Sequence, residues 1–176
     1  MIFLNRTCFN GLYRVNANNA FNVPFGKYTN PKICDEENIY NVSAALQNVT
    51  ILIGDYATAV AGADANTFVY FDPPYKPLSQ TASFNAYAKD VFDDGEQQRL
   101  KSLCDLLNEK GISWLLSNSD PKNTDPKNHF FENLYSDYQI SRVRAKRMIN
   151  SDASKRGAIY ELLIHNYSIE STPALI

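Results

Sequence analysis

The stretch Thr67-Phe68-Val69-Tyr70-Phe71-Asp72-Pro73-Pro74-Tyr75 decides the reading of this chain. Residues 67–71 are apolar, aromatic or β-branched, the composition of a buried strand. The run then meets an acidic residue and two prolines. Neither proline can donate a ladder hydrogen bond, and the residue before each is pushed out of helical geometry. The sheet therefore stops at Asp72. A carboxylate, carbonyls without donors and an aromatic ring are held together at the strand's carboxyl end, where open α/β sheets bind ligands.

That turn suits one particular chemistry. The lone pair of a nucleobase exocyclic amine is delocalised into the ring, so the amine is a poor nucleophile until acceptors draw on its hydrogens. Asp72 supplies one acceptor and a proline carbonyl another. Tyr75 offers a flat face to a base lifted from its stack, a contact of about 1–3 kcal/mol. The same letters also suit an ordinary strand-terminating turn, and a proline-motif docking site is disfavoured by the buried character of the preceding strand. Asp-Pro-Pro-Tyr after a hydrophobic strand resembles the catalytic motif of amino-methyltransferases, which use S-adenosylmethionine to methylate adenine N6 or cytosine N4. The resemblance implies that Asp72, Pro73, Pro74 and Tyr75 are catalytic, and that Asp72 also touches the cofactor's methionine amino group.

The 176 residues, 44% of them hydrophobic, suit one domain or a large piece of one. No apolar run approaches the ~18 residues that span a bilayer, and no charged-then-apolar leader is present. The chain reads as cytoplasmic, with no membrane partner. Cys8, Cys34 and Cys104 lack ligand spacing and read as reduced packing residues, and His129 and His165 are too sparse for a metal site. The net charge of −2 argues weakly against nucleic acid, but residues 141–157 carry Arg142, Arg144, Lys146, Arg147, Lys155 and Arg156 against Asp152. In a strand, Arg142, Arg144 and Lys146 share a face. That stripe either tracks phosphates or protects a solvated edge from aggregation.

Residues 1–40 differ from the rest. Met1 to Arg6 reads as the tail of a helix. Asn10-Gly11 and Asn18-Asn19 are turn signals, and Leu12–Val15 is expected to pair with Phe21–Val23 as a short hairpin. The segment is aromatic, rich in Asn and basic, with no acidic residue before Asp35. Arg reads guanine, Asn reads adenine, and apolar side chains meet thymine methyls or wedge between bases. Asn5-Arg6-x-x-Phe9-Asn10-Gly11-Leu12-x-Arg14-x-Asn16, followed by Phe21-Asn22-Val23-Pro24-Phe25-Gly26-x-Tyr28, resembles the target-recognition hairpin of the DNA adenine methylase (Dam-like) family. In that family the hairpin likewise precedes Asp-Pro-Pro-Tyr. The resemblance implies a double-stranded DNA partner, with Arg14 reading a guanine of a GATC-type site beside Leu12 and Pro24. Phe9 would wedge where the base is flipped out, and Asn10 and Tyr28 would contact DNA nearby. Phe21 and Phe25 are instead assigned to a small hydrophobic cluster.

From residue 41 a regular α/β pattern is expected: a short helix over 42–47, a strand over 49–53, a helix over 56–62 and the strand at 67–71. These make a right-handed βαβ unit with parallel strands. Asp55 either lines the cofactor side of the cleft or caps the helix after it. Lys76 to Tyr87 is polar, and similar to a family loop that would form a lid. Asp93 and Glu96 are spaced as a capping box, Leu100, Leu103 and Leu107 form a buried stripe, and Gly111 closes the helix. A strand over 112–116 ends at Ser117-Asn118-Ser119-Asp120-Pro121, similar to a Ser-Asn-x-Asp turn of the family. Asn118 and Asp120 there either shape the base pocket or make an Asx turn. A short helix over 129–134 and two strands, 138–147 and 157–166, finish the sheet as an antiparallel hairpin. Arg147 and the 150–156 loop are placed to meet the DNA backbone, and the last ten residues read as a tail.

The expected fold is thus α/β: a partial Rossmann-like methyltransferase sheet with an antiparallel C-terminal hairpin (41–176), preceded by part of a target-recognition region (1–40). Glycines 11, 26, 54, 62, 95, 111 and 157 are not spaced to cradle S-adenosylmethionine, and no acidic residue follows to grip its ribose. The resemblance covers only the carboxyl-terminal portion of a family enzyme, so a fragment with weak or no cofactor binding is expected. Adenine N6 methylation by base flipping is the leading function. A non-catalytic DNA-binding fragment and a cytosine-N4 methyltransferase are the alternatives.

Overall fold

The computed structural model describes residues 1–76, 92–146 and 158–169. The chain divides into two compact units, Met1–Ile53 and Gly54–Ile176.

In the second unit, β1 (Phe68–Phe71) pairs in parallel with β2 (Ser113–Ser119), as the strand reading of 67–71 and 112–116 requires. β3 (Gln139–Lys146) and β4 (Ala158–His165) form the expected antiparallel hairpin, and β4 also lies antiparallel to β2. Among the described residues the sheet has four strands in the order β1-β2-β4-β3, so the fold is mixed α/β.

The parallel pair is joined through α4 (Asp94–Glu109), whose N-cap Asp93 accepts from Glu96 N at 3.0 Å. Leu100 and Leu107 are buried, as is Cys104 one helical turn away, while Leu103 is half-buried at the margin. Gly111 has φ +70°, Ile112 N donates to Leu107 O and Gly111 N to Asn108 O, each at 2.9 Å. This is a Schellman closure, with Leu107 and Ile112 both buried beside it. One sheet face, with Val69, Phe71, Trp114, Leu116, Leu162 and Ile164, packs with α4 and with Phe131 of the short helix α5 (Phe130–Leu134). Tyr138 meets Trp114 edge-on, ring centroids 4.7 Å apart. Alternation puts Phe68 and Tyr70 on the opposite face, where both are exposed.

The expected strand over 49–53 does not form. A helix, α2 (Glu36–Ala45), and a 3₁₀ turn (Leu46–Asn48) lead into extended chain whose Ile51, Leu52 and Ile53 are exposed, Ile53 at 101%. The β-branched composition is there, but no described strand pairs with it, and a lone strand has no ladder to hold it. The βαβ unit read from 49–71 is therefore not formed. The helix after Asp55 is a single turn, α3 (Tyr56–Ala59).

The first unit opens with α1 (Ile2–Thr7) and a 3₁₀ turn (Phe9–Gly11). Its hairpin exists as two isolated antiparallel bridges, Cys8 with Phe25 and Val15 with Phe21. Asn19 turns the chain with φ 58°, and Asn16 Oδ1 accepts from Asn18 N and Ala20 N to hold the tip. Gly26 lies under the Cys8 carbonyl and the Tyr28 ring, where a Cβ would come 2.8 Å from Cys8 O. Phe21 is half-buried against Tyr13, but Phe25 is 73% exposed and joins no cluster, because its backbone rather than its ring does the pairing.

Candidate active site

The ladder between β1 and β2 ends at Phe71 and Leu116, which leaves the carbonyls of Pro73 and Pro74 outside it. Asp72 is exposed there, and Tyr75 keeps 38% of its surface. The turn is held by the end of β2. Ser117 Oγ donates to Asp72 Oδ1 at 3.1 Å, Lys76 N donates to Asn118 Oδ1 at 2.9 Å, and Ser119 Oγ donates to Lys76 O at 2.7 Å. Three successive β2 side chains thus fix both ends of Asp72–Lys76. Lys76 Nζ pairs with Asp94 and stands 4.0 Å from the Phe130 ring centroid.

Asp72, Pro73 and Pro74 line an open cleft of about 1210 Å³. Its far wall is Tyr56, Phe92, Asp55, Asp93, Glu96 and Arg99. Arg99 pairs with Asp55 and with Glu96 (3.1 Å), and its guanidinium lies 4.5 Å over the Tyr56 ring. Burial, with Glu96 nearby, pushes the Tyr56 phenol up despite the opposing pull of Arg99. Asp55 caps α3, accepting from Ala57 N at 2.9 Å, and it also lines the cleft. The Tyr75 phenol is raised mainly by burial; the Ser117 hydroxyl pulls it down, while Glu161, Asp72 and Tyr70 add to the rise.

The Ser-Asn-x-Asp turn splits in its roles. Asn118 is fully buried and clamps the site turn, with its Nδ2 unpartnered among the described residues. Asp120 makes the Asx turn, accepting from Lys122 N at 3.0 Å, and also receives Arg142 Nε at 2.7 Å. Arg142 binds Glu132 as well. The basic stripe is therefore not three free cations, because Arg142 is committed to two internal carboxylates. The hydrophobic spacing around Asp120 and Glu132 gave no sign of this, since the partners are 22 and 10 residues away.

In the first unit, Arg14 lies along the opposite arm of the bridge, Nε donating to Asn22 Oδ1 and an Nη to Asn22 O, both at 2.8 Å. Asn22 is a partner that sequence reading missed. Phe9 is 53% exposed while its N–H donates to Pro24 O at 2.8 Å. Asn10 has φ 53° and its N–H donates to Tyr28 Oη at 3.0 Å. Leu12 is half-buried and Pro24 exposed. Phe9, Asn10 and Arg14 thus lie on one arm of the bridged pair, and Pro24 and Tyr28 on the other. Beyond Lys76, the lid expected over 76–87 lies outside the described residues, as do Arg147, the 150–156 loop and most of the tail. Among those described, no cluster of three His, Cys, Asp or Glu is placed to hold a metal, and no helix is long and apolar enough to cross a membrane.

A strand-end carboxylate and ring beside a cleft on a mixed α/β sheet sit where open α/β sheets bind ligands. The model of the D12 class N6 adenine-specific DNA methyltransferases matches residues 1–149, and the chain belongs to that family. It is 53% identical over 167 residues to the type II methyltransferase M.MjaIII of Methanocaldococcus jannaschii, covering 94% of this chain and 56% of that protein. It is 42% identical over 169 residues to M1.LlaDCHI of Lactococcus lactis, covering 95% and 57%. The DNA adenine methylase of Escherichia coli is 36% identical over 162 residues, covering 92% and 55%. The chain spans a little over half the length of these relatives.

Proposed function

We propose that this chain carries the base-accepting half of a site-specific DNA adenine methyltransferase. Asp72 and the Pro73 carbonyl accept from the N6 amine of an extruded adenine and draw electron density toward it. Tyr75 stacks on the base, and Pro74 keeps the corner stiff. The observation that carries this is Asp72, exposed at the cleft yet tied through Ser117 to β2. Relatives named as DNA adenine methylases support adenine over cytosine.

The cleft fits S-adenosylmethionine in character. Its aromatic Tyr56 and Phe92 suit a purine and the carboxylate of Asp72 an ammonium group, while Asp55 and Glu96 are already paired with Arg99. When bound, the cofactor supplies an electrophilic methyl group. Asp72 would hold its ammonium while orienting the amine, and the acceptors at the turn also help take up the proton released from N6. No covalent enzyme–base intermediate is needed. Extruding a base costs a few kcal/mol, offset by Tyr75 stacking and by Phe9 filling the gap in the duplex.

Arg14 reads guanine in a GATC-type duplex site, with Leu12 and Pro24 beside it and Asn10, Tyr28 and Arg147 contacting DNA. The target-recognition part spans 1–40 and the catalytic part 41–176, acting in the cytoplasm. Asp72→Ala in the natural polypeptide should abolish methyl transfer and leave DNA affinity intact; undiminished transfer would remove Asp72 from the chemistry.

A second reading is a DNA-binding fragment without catalysis. The seven glycines favour it, because none is spaced as a cofactor loop. On either reading this chain alone binds S-adenosylmethionine weakly, and micromolar affinity by titration calorimetry would overturn that. A gel shift without methyl transfer selects the second reading.

A further inference from the structure

Ser117 is 3% exposed, and its hydroxyl links the other side of the sheet to the site. Tyr70 Oη lies 3.0 Å from Ser117 Oγ, and Asp72 Oδ1 lies 3.1 Å from it. An ionised carboxylate can only accept, so the Ser117 proton points at Asp72, and the Tyr70 hydroxyl must then donate to the serine oxygen. The direction of the whole chain follows from one charge.

The two ends of this chain differ in freedom. Ser117 sits in the middle of a ladder, opposite Leu163 of β4, so its backbone is fixed on a rigid element. Asp72 lies one residue past the last β1–β2 pair. The prolines after it stiffen the backbone but leave its side chain free to turn. Among the described residues, Ser117 is the one hydrogen-bond partner of the Asp72 carboxylate, and it engages Oδ1 alone. Oδ2 is left as the acceptor with no partner among the described residues.

We propose that Ser117 is a positioning residue for methyl transfer, holding Asp72 in a single rotamer that commits Oδ1 to the protein and presents Oδ2 to the substrate amine, with Tyr70 orienting the serine hydroxyl. This rests on the reading of Asp72 as the amine's acceptor. The neighbouring Asn118 and Ser119 fix the backbone of the same turn, so β2 sets the turn's path while Ser117 sets its carboxylate.

The test compares Ser117→Ala, Ser117→Thr, Tyr70→Phe and Asp72→Ala in the natural polypeptide that carries this chain. Methyl transfer from labelled S-adenosylmethionine to duplex DNA is measured alongside the χ1 couplings of Asp72. Ser117→Ala should lower kcat about tenfold with KM for DNA changed less than about twofold. Ser117→Thr keeps the donor and should restore most of the rate, and Tyr70→Phe should cost about threefold. Asp72 should hold one χ1 rotamer in the parent and in Ser117→Thr, and average over several in Ser117→Ala. An unchanged kcat in Ser117→Ala, a Ser117→Thr as slow as the alanine variant, or a fixed Asp72 rotamer without the hydroxyl each overturns the proposal. Full turnover by Asp72→Ala overturns the acceptor reading itself, and the positioning role with it. A dead Asp72→Ala beside a normal Ser117→Ala overturns the positioning role alone.

Discussion

The unit Gly54–Ile176 and the unit Met1–Ile53 are built on different physics. Gly54–Ile176 has a continuous core from Val69 to Ile164, closed by Trp114, Phe131 and Tyr135, each with no exposed surface. Met1–Ile53 buries Thr7, Cys8 and Gly26 and little else, and keeps its shape through backbone bridges and Asn side chains. Where a core exists, a site can be held to a fraction of an ångström by side chains on fixed strands, as Ser117 to Ser119 hold Asp72–Lys76. Where none exists, aromatic and basic groups stay in water, available to a partner whose surface supplies the missing contacts. This contrast supports the proposed split between chemistry and recognition.

The sharpest way to break this contrast is to cut one aromatic ring from each side. Trp114→Ala should cost about 3–5 kcal/mol of unfolding free energy in urea melts, whereas Phe9→Ala should stay within about 0.5 kcal/mol. Comparable losses would mean that the first unit has a core of its own. Next comes the internal ion pair. Asp120 is 2% exposed, so Arg142→Ala strands a buried carboxylate and should cost about 3 kcal/mol, the low end for such pairs because the guanidinium is partly in water. A loss near zero would return Arg142 to the phosphate-tracking stripe.

On the recognition side, Arg14→Ala should leave the melt unchanged but cost about 1–3 kcal/mol of discrimination between cognate and altered duplexes. Equal weakening on every sequence would make Arg14 a phosphate contact. The smallest effect is one of pH. Burial pushes the Glu132 carboxyl up, but hydrogen bonds from Lys122 and Arg142 outweigh it and hold the group below its ordinary value. A depressed carboxylate stabilises the fold above its unfolded pKa and loses that contribution as pH falls through the folded one. Stability should fall below about pH 4.5 in the parent and fall less steeply in Glu132→Gln, as read from melts between about pH 6 and pH 3.

Much of the second unit was legible because its signals are local. The strand at 68–71, the Asp93 cap, the Gly111 closure and the final hairpin each follow from a run of a few residues whose own propensities agree. The segment 49–53 failed by the same logic, since β-branched composition reports what a residue tolerates and not whether a neighbour is there to pair. The turn Asp72–Tyr75 was legible as a place, but its retaining side chains were not. Ser117 lies 45 residues from Asp72, and a serine at a strand end carries no periodic signal to name its partner. Asn22 beside Arg14 and Asp120 beneath Arg142 were hidden for the same reason.

Ile51, Leu52 and Ile53 leave three branched side chains facing water in an extended backbone whose amides pair with nothing described. A segment of that kind is a template for other copies of itself. Concentrated solutions of the chain should scatter light and elute in broad, dilution-sensitive peaks, and deuterium should enter these amides far sooner than those of Trp114 to Ser117. A charged residue at position 52 should sharpen the elution profile, leaving the cleft around Asp72 as it was.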